Sequence, residues 1–110
     1  MPFLIQKDAD GATVQAWQLR DGTLTVGRGD DCNAKVDDER LSRQHFTITE
    51  NEGKFILKDL GSKHGTRVNG LPVTEQELNR GDEIRAGATD FEIKESQVTV
   101  MMKSLYDKSW

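Results

Sequence analysis

An arginine held between two glycines, Gly27-Arg28-Gly29, is the first group in the chain placed to bind an anion. Its guanidinium fork can clamp two oxygens at once, and the glycines leave room for close approach. Ser42 offers a hydroxyl and a backbone N–H, and Arg43 adds a second charge, both in the run Leu41-Ser42-Arg43-Gln44-His45. Ser62 and Lys63 repeat the pairing of small hydroxyl with cation, in the run Asp59-Leu60-Gly61-Ser62-Lys63-His64-Gly65-Thr66. A phosphate monoester carries roughly −1.5 to −2 charge and three acceptor oxygens, so it needs a fixed cation and several donors. Each feature alone is weak, because an arginine after a glycine is usually a solvated loop residue. Together, on successive loops, they suit capture of a phosphorylated side chain.

Such loops converge only on a rigid scaffold. The segments between them read as short strands. Thr23-Leu24-Thr25-Val26 alternates with period 2, and His45 to Thr49 sets Phe46 and Ile48 on one face. Thr13 to Leu19 alternates weakly, with Trp17 and Leu19 together. Phe3 to Gln6, Ala34 to Val36, Lys54 to Lys58, Thr66 to Val68, Leu71 to Val73, Glu83 to Ala86 and Thr89 to Lys94 read the same way. Asp21-Gly22 and Asn69-Gly70 are hairpin signals, and Pro72 belongs on an edge strand. Thr74 to Asn79 is expected to form a turn or one helical turn. About ten short strands, punctuated by Gly, Asn and Asp, predict an all-β antiparallel sandwich. One domain is expected over residues 1–96. The tail, 97–110, is expected to add a last strand, a short helix, or both. Met101 and Leu105 are four apart, as are Met102, Tyr106 and Trp110, which makes one apolar helical face. That face is expected to pack on the sandwich itself; the alternative is a docking segment for another protein.

Composition narrows the partners. With 110 residues the chain is long enough for one core without staples. The net charge of −4 gives no bulk attraction to nucleic acid or to an anionic membrane, so any anion site is local. The single cysteine, Cys32, allows no disulfide framework and suits the reducing cytoplasm. A loop or core role is expected for it rather than thiol chemistry. No apolar run approaches a membrane span, and Phe3-Leu4-Ile5 is too short for a signal-peptide core.

The order Gly27-Arg28, Leu41-Ser42-Arg43-Gln44-His45, Asp59 to Thr66, then Val68-Asn69-Gly70 resembles the forkhead-associated (FHA) domain family over roughly residues 3–95. The resemblance implies an eleven-stranded β-sandwich that binds phosphothreonine peptides through loops at one end. It implies that Arg28 and Ser42 contact the phosphate and that Arg43 supports the phosphate or the peptide backbone. It places Ser62 and Lys63 in the wall of the pocket for the threonine methyl group. Gly27, His45, Gly65 and Asn69 match scaffold positions, and Asn69 can also steady a binding loop. Arg40 matches a position that helps select the residue three after the phosphothreonine, and an acidic preference is expected there. Lys63-His64 departs from the family's usual Thr-Asn pair. His64 can take over the asparagine's hydrogen bond to the peptide backbone, in a pH-dependent way. The implied function is a monomeric, cytoplasmic signalling adaptor for targets of Ser/Thr kinases, with no cofactor and no metal.

Other readings of the same residues are weaker. Ser42, His45 and Asp59 could suggest a hydrolase, but no nucleophile elbow is present. His45 and His64 with Asp59 lack metal-ligand spacing. Gly27-Arg28-Gly29 has no third glycine and no following helix, so it is not a dinucleotide fingerprint. Arg28-Gly29-Asp30 and Arg80-Gly81-Asp82 are ordinary turn compositions rather than adhesion ligands. The main rival is a scaffold that binds partners by a lateral sandwich face or by the tail, with phosphate binding weak or lost.

Overall fold

A computed structural model of the chain describes residues 2–20 and 22–95. The strand and helix expected over 97–110 lie outside the described residues. Eleven strands form: β1 (Pro2–Lys7), β2 (Thr13–Gln18), β3 (Thr23–Gly27), β4 (Ala34–Lys35), β5 (Phe46–Asn51), β6 (Lys54–Asp59), β7 (Thr66–Val68), β8 (Leu71–Val73), β9 (Glu75–Leu78), β10 (Glu83–Ala86) and β11 (Thr89–Glu95). They make a six-stranded sheet in the order β2-β1-β11-β10-β7-β8 and a five-stranded sheet in the order β4-β3-β5-β6-β9. All pairings are antiparallel except β3 with β4, which is parallel. The all-β sandwich is therefore as the sequence predicts, and no helix occurs among the described residues.

Alternation decides which side chains meet between the sheets. Phe46 and Ile48 of β5 are buried, as are Val26, Leu57, Ile84, Phe91 and Ile93. Leu19 is buried and Trp17 packs against the same core, as the sequence predicts for that face, while Thr13 to Ala16 are all exposed and show no alternation. Phe46 and Phe91 bring the two sheets together edge to face, with ring centroids 5.7 Å apart. The Asn69-Gly70 turn joins β7 to β8 with φ of 51° and 84°, the left-handed pair that a two-residue hairpin needs. Pro72 lies on β8, at the sheet edge, where its missing N–H costs no ladder bond.

Two expectations fail, both for non-local reasons. The hairpin expected at Asp21-Gly22 does not join β2 to β3: β2 pairs with β1 and β3 with β5, in different sheets. Thr74 to Asn79 is neither turn nor helix, because Glu75–Leu78 pairs with β6 as the edge of the five-stranded sheet. Leu78 is buried while Glu75, Gln76 and Glu77 stay exposed, so a four-residue edge strand shows no useful alternation.

Candidate functional site

The strand directions bring four loops to one end of the sandwich. β3, β6 and β10 run toward that end; β5, β7 and β11 run away from it. The converging loops span 28–33, 36–45, 60–65 and 87–88. Gly27 is needed where the first two meet, since a Cβ there would stand 2.2 Å from the Arg43 carbonyl oxygen. That approach lets the Arg28 N–H donate to Ser42 O at 3.2 Å and the Gly29 N–H to Arg43 O at 3.0 Å. Arg28 Nε donates to Leu41 O at 2.8 Å, which aims the rest of the guanidinium. Its two Nη groups have no other partner among the described residues.

Ser42 is held by its neighbours and leaves one function open. Its N–H donates to His45 Nδ1 at 3.1 Å, and its Oγ accepts the Lys63 N–H at 3.1 Å. The Ser42 hydroxyl is thus already an acceptor, and its own proton has no acceptor among the described residues. His45 is fully buried. Because Nδ1 accepts, the ring proton sits on Nε2 and donates to Gly65 O at 2.8 Å. His45 therefore ties the 42–45 loop to the 60–65 loop. With both nitrogens engaged it offers neither a base for Ser42 nor a metal ligand.

Asp59 organises the opposite wall. Its Oδ2 accepts the N–H groups of Gly61 and Ser62, each at 3.0 Å. Its Oδ1 accepts the hydroxyls of Ser62 at 2.6 Å and Thr66 at 2.7 Å. Burial pushes the Asp59 carboxyl up, but these donors outweigh it and hold the group below its ordinary value. Ser62 consequently gives both of its donors to Asp59: it shapes the wall and offers a ligand no proton. Lys63 and His64 are exposed beside it.

A second brace, on a half-buried aspartate, was not anticipated. Asp38 Oδ2 accepts the Thr89 hydroxyl at 2.7 Å and the Ala88 N–H at 2.8 Å, while Oδ1 accepts the Arg40 N–H at 2.9 Å. Burial raises its carboxyl; the Thr89 hydroxyl, both N–H groups and the Arg40 charge more than offset this and lower it. Gly87 packs on this contact, and a Cβ there would meet Asp38 Oδ2 at 2.9 Å. The Asp59-x-Gly-Ser sequence carries an Asx-turn signal that could have revealed the first brace. Asp38 makes the same kind of local contact with the Arg40 N–H, but its bond to Thr89, 51 residues away, has no local signal.

Between the first two loops the mouth opens into a cleft of about 760 Å³ lined by Arg28, Gly29, Asp30, Asp31, Arg43 and Gln44; Ser42, Ser62 and Lys63 do not line it. Its acids are engaged: Asp30 pairs with Lys35, which lowers its carboxyl, and Asp31 accepts from Gln44 Nε2 at 2.6 Å. The Cys32 thiol donates to Arg43 O, and burial pushes it up, away from thiolate chemistry. Arg40 does not line this cleft; with His64 it lines a separate groove. Asn69 is at the far end of the sandwich. Its Nδ2 donates to Asp82 Oδ1 at 3.1 Å and its Oδ1 accepts the Glu83 N–H at 3.0 Å. Asn69 therefore steadies the entry to β10 and not one of the converging loops.

Known proteins share this fold. The FHA domain profile matches residues 24–87. The FHA domain-containing protein FhaA of Mycobacterium tuberculosis is 36% identical over 85 residues, 77% of this chain but 16% of that protein. An oxoglutarate dehydrogenase inhibitor of Corynebacterium efficiens is 43% identical over 65 residues, 59% of this chain and 46% of that protein. The chain thus spans less than half the length of these curated relatives. The FHA domain of FhaA, solved in complex with the intracellular domain of Rv3910, has a TM-score of 0.78 at 35% identity. That match covers 86% of this chain and 100% of that one. Mycobacterium tuberculosis EmbR, solved with a low affinity phosphopeptide, has a TM-score of 0.75 at 26% identity over 84% of this chain and 24% of that one. With a family profile covering more than half its length, this chain belongs to the FHA domain family.

Proposed function

We propose that this domain binds a phosphorylated threonine of a partner protein or peptide, and acts as a monomeric cytoplasmic adaptor downstream of Ser/Thr kinases. The observation that carries the reading is the Ser42 hydroxyl. It accepts from Lys63 and is left with a proton to donate, next to an arginine already aimed by its bond to Leu41 O. A phosphate supplies the acceptors both groups need. Arg43 and Lys63 add charge at the rim, and Ser62 closes the wall through Asp59. His64 faces the peptide backbone. The EmbR phosphopeptide complex and a structure from work on phosphothreonine-dependent FHA domain interactions support this ligand class. No chemistry is assigned to the site, because His45, the one candidate base beside Ser42, spends both nitrogens on the scaffold.

Affinity is expected near micromolar, about −8 kcal/mol, weakening with salt because the rim cations are exposed. Threonine over serine rests on burial of one methyl group, roughly 1 kcal/mol. Arg40, at the side of the site, favours an acidic residue three positions after the phosphothreonine. Titration of an oriented phosphothreonine library against the domain and its Arg28→Ala variant tests all of this. The variant should lose at least about a hundredfold in affinity, the scale of two to three kcal/mol for charge-assisted bonds. Equal affinity in the two proteins overturns the mechanism, and an aliphatic preference at the third position removes the role given to Arg40.

A further inference from the structure

Beyond the phosphate mouth, a groove of about 380 Å³ is lined by Arg40, His64, Gly65, Arg67, Arg85 and Gly87. Three of these six residues are arginines and none is acidic, in a chain of net charge −4. Arg67 of β7 and Arg85 of β10 are register partners, directly across from each other on the outer face of the six-stranded sheet. Like charges in that position destabilise a sheet. Asp90 relieves part of the repulsion, accepting from Arg85 Nη1 at 2.8 Å. The side chains of Arg40 and Arg67 have no hydrogen bond or ion pair among the described residues. Arg67, together with Arg40, whose charge reaches Asp38 without a direct bond, leaves the groove with an excess of positive charge that suits a phosphate.

We propose that this groove is a second phosphate site, and that the domain prefers a doubly phosphorylated peptide. The inference rests on the phosphothreonine reading of the first site. Groove and mouth have no lining residue in common, but the chain joins them: Arg40 is two residues before Ser42, and His64 follows Lys63, whose N–H bonds Ser42 Oγ. Arg67 is the second residue of β7, one strand rise of about 3.4 Å beyond Thr66 at the end of the strand that meets the 60–65 loop. An extended peptide leaving the first site reaches that point within a few residues. Arg67 and Arg40 clamp the second phosphate, with Arg85 adding field from behind its bond to Asp90.

The test titrates one phosphothreonine peptide against versions carrying a second phosphoserine, placed three, four, five or six residues toward the C-terminus. Glutamate at the same positions separates phosphate from carboxylate. At one spacing the second phosphate should tighten binding on the order of tenfold, and glutamate should give less than about threefold. Arg67→Ala, with Arg67→Gln as a variant that keeps the stem, should erase the gain and leave the singly phosphorylated peptide within about twofold. The proposal is overturned if no spacing tightens binding, if glutamate equals phosphate, or if the gain survives in both variants. Failure of the singly phosphorylated peptide to bind the unaltered domain would instead overturn the first-site reading.

Discussion

At the scale of single residues the site is decided by where each polar atom is already spent. Ser42 and Ser62 look equivalent in sequence, each a serine followed by a cation. In the fold Ser42 keeps its proton and Ser62 gives its own to Asp59. Asp59 also makes this wall sensitive to acid. Its carboxyl is held below its ordinary value of 3.8, so the stability it adds is complete above that pH. That stability is lost as pH falls through the lowered folded value. At pH 7, Asp59→Asn should be less stable by about 1–3 kcal/mol, since four donors lose a charged acceptor. The gap to the unaltered domain should shrink below pH 3.8, as urea denaturation across pH will read. A gap that stays constant down to pH 2 would refute this account.

At the scale of elements, the two ends of the sandwich have separate duties. Gly27, His45 and Asp38 hold the converging loops, whereas Asn69 holds the β7–β8 turn to the start of β10 at the other end. Asn69 sits at φ 51°, where an ordinary side chain is strained by about 1–2 kcal/mol. Asn69→Ala keeps that strain without asparagine's tolerance for it, and loses the bonds to Asp82 and Glu83. It should cost about 2–3 kcal/mol in stability. Phosphopeptide affinity, measured on the folded fraction, should stay within about twofold. A large loss of affinity at unchanged stability would place Asn69 in the binding apparatus after all.

At the scale of the molecule, the binding end is only as rigid as the packing of the two sheets. Phe46 begins β5 immediately after His45 and meets Phe91 across the core, so one aromatic pair joins loop and sandwich. Phe46→Ala should cost about 3–5 kcal/mol, a large share of the about 5–15 kcal/mol typical of a domain. Thermal unfolding should show a midpoint lowered by 10 °C or more, at about 4–8 °C per kcal/mol for a domain of this size. A midpoint shift of only a degree or two would mean that the sheets do not depend on this contact. The overall charge of −4 keeps nonspecific anions away, while cations concentrated at the mouth and the adjoining groove recruit a phosphorylated one.

The sequence by itself determined the class of fold, the positions of most strands and the loops that carry the site. Those signals are local: alternation sets the buried face of β5, and the dipeptide Asn69-Gly70 sets its own turn. It did not determine which strands pair. Asp21-Gly22 reads as a hairpin signal, yet β2 and β3 belong to different sheets, and Glu75–Leu78 becomes a strand only because β6 offers it an edge. It also did not determine which loop donors remain for a ligand. The Ser42 hydroxyl is oriented by Lys63, 21 residues on, and the Asp38 brace by Thr89, 51 residues on. Arg67 and Arg85 become one charged groove only because β7 and β10 align in register. Hydrogen bonds and charge act through distance in space, and tertiary structure alone makes residues so far apart in sequence into neighbours.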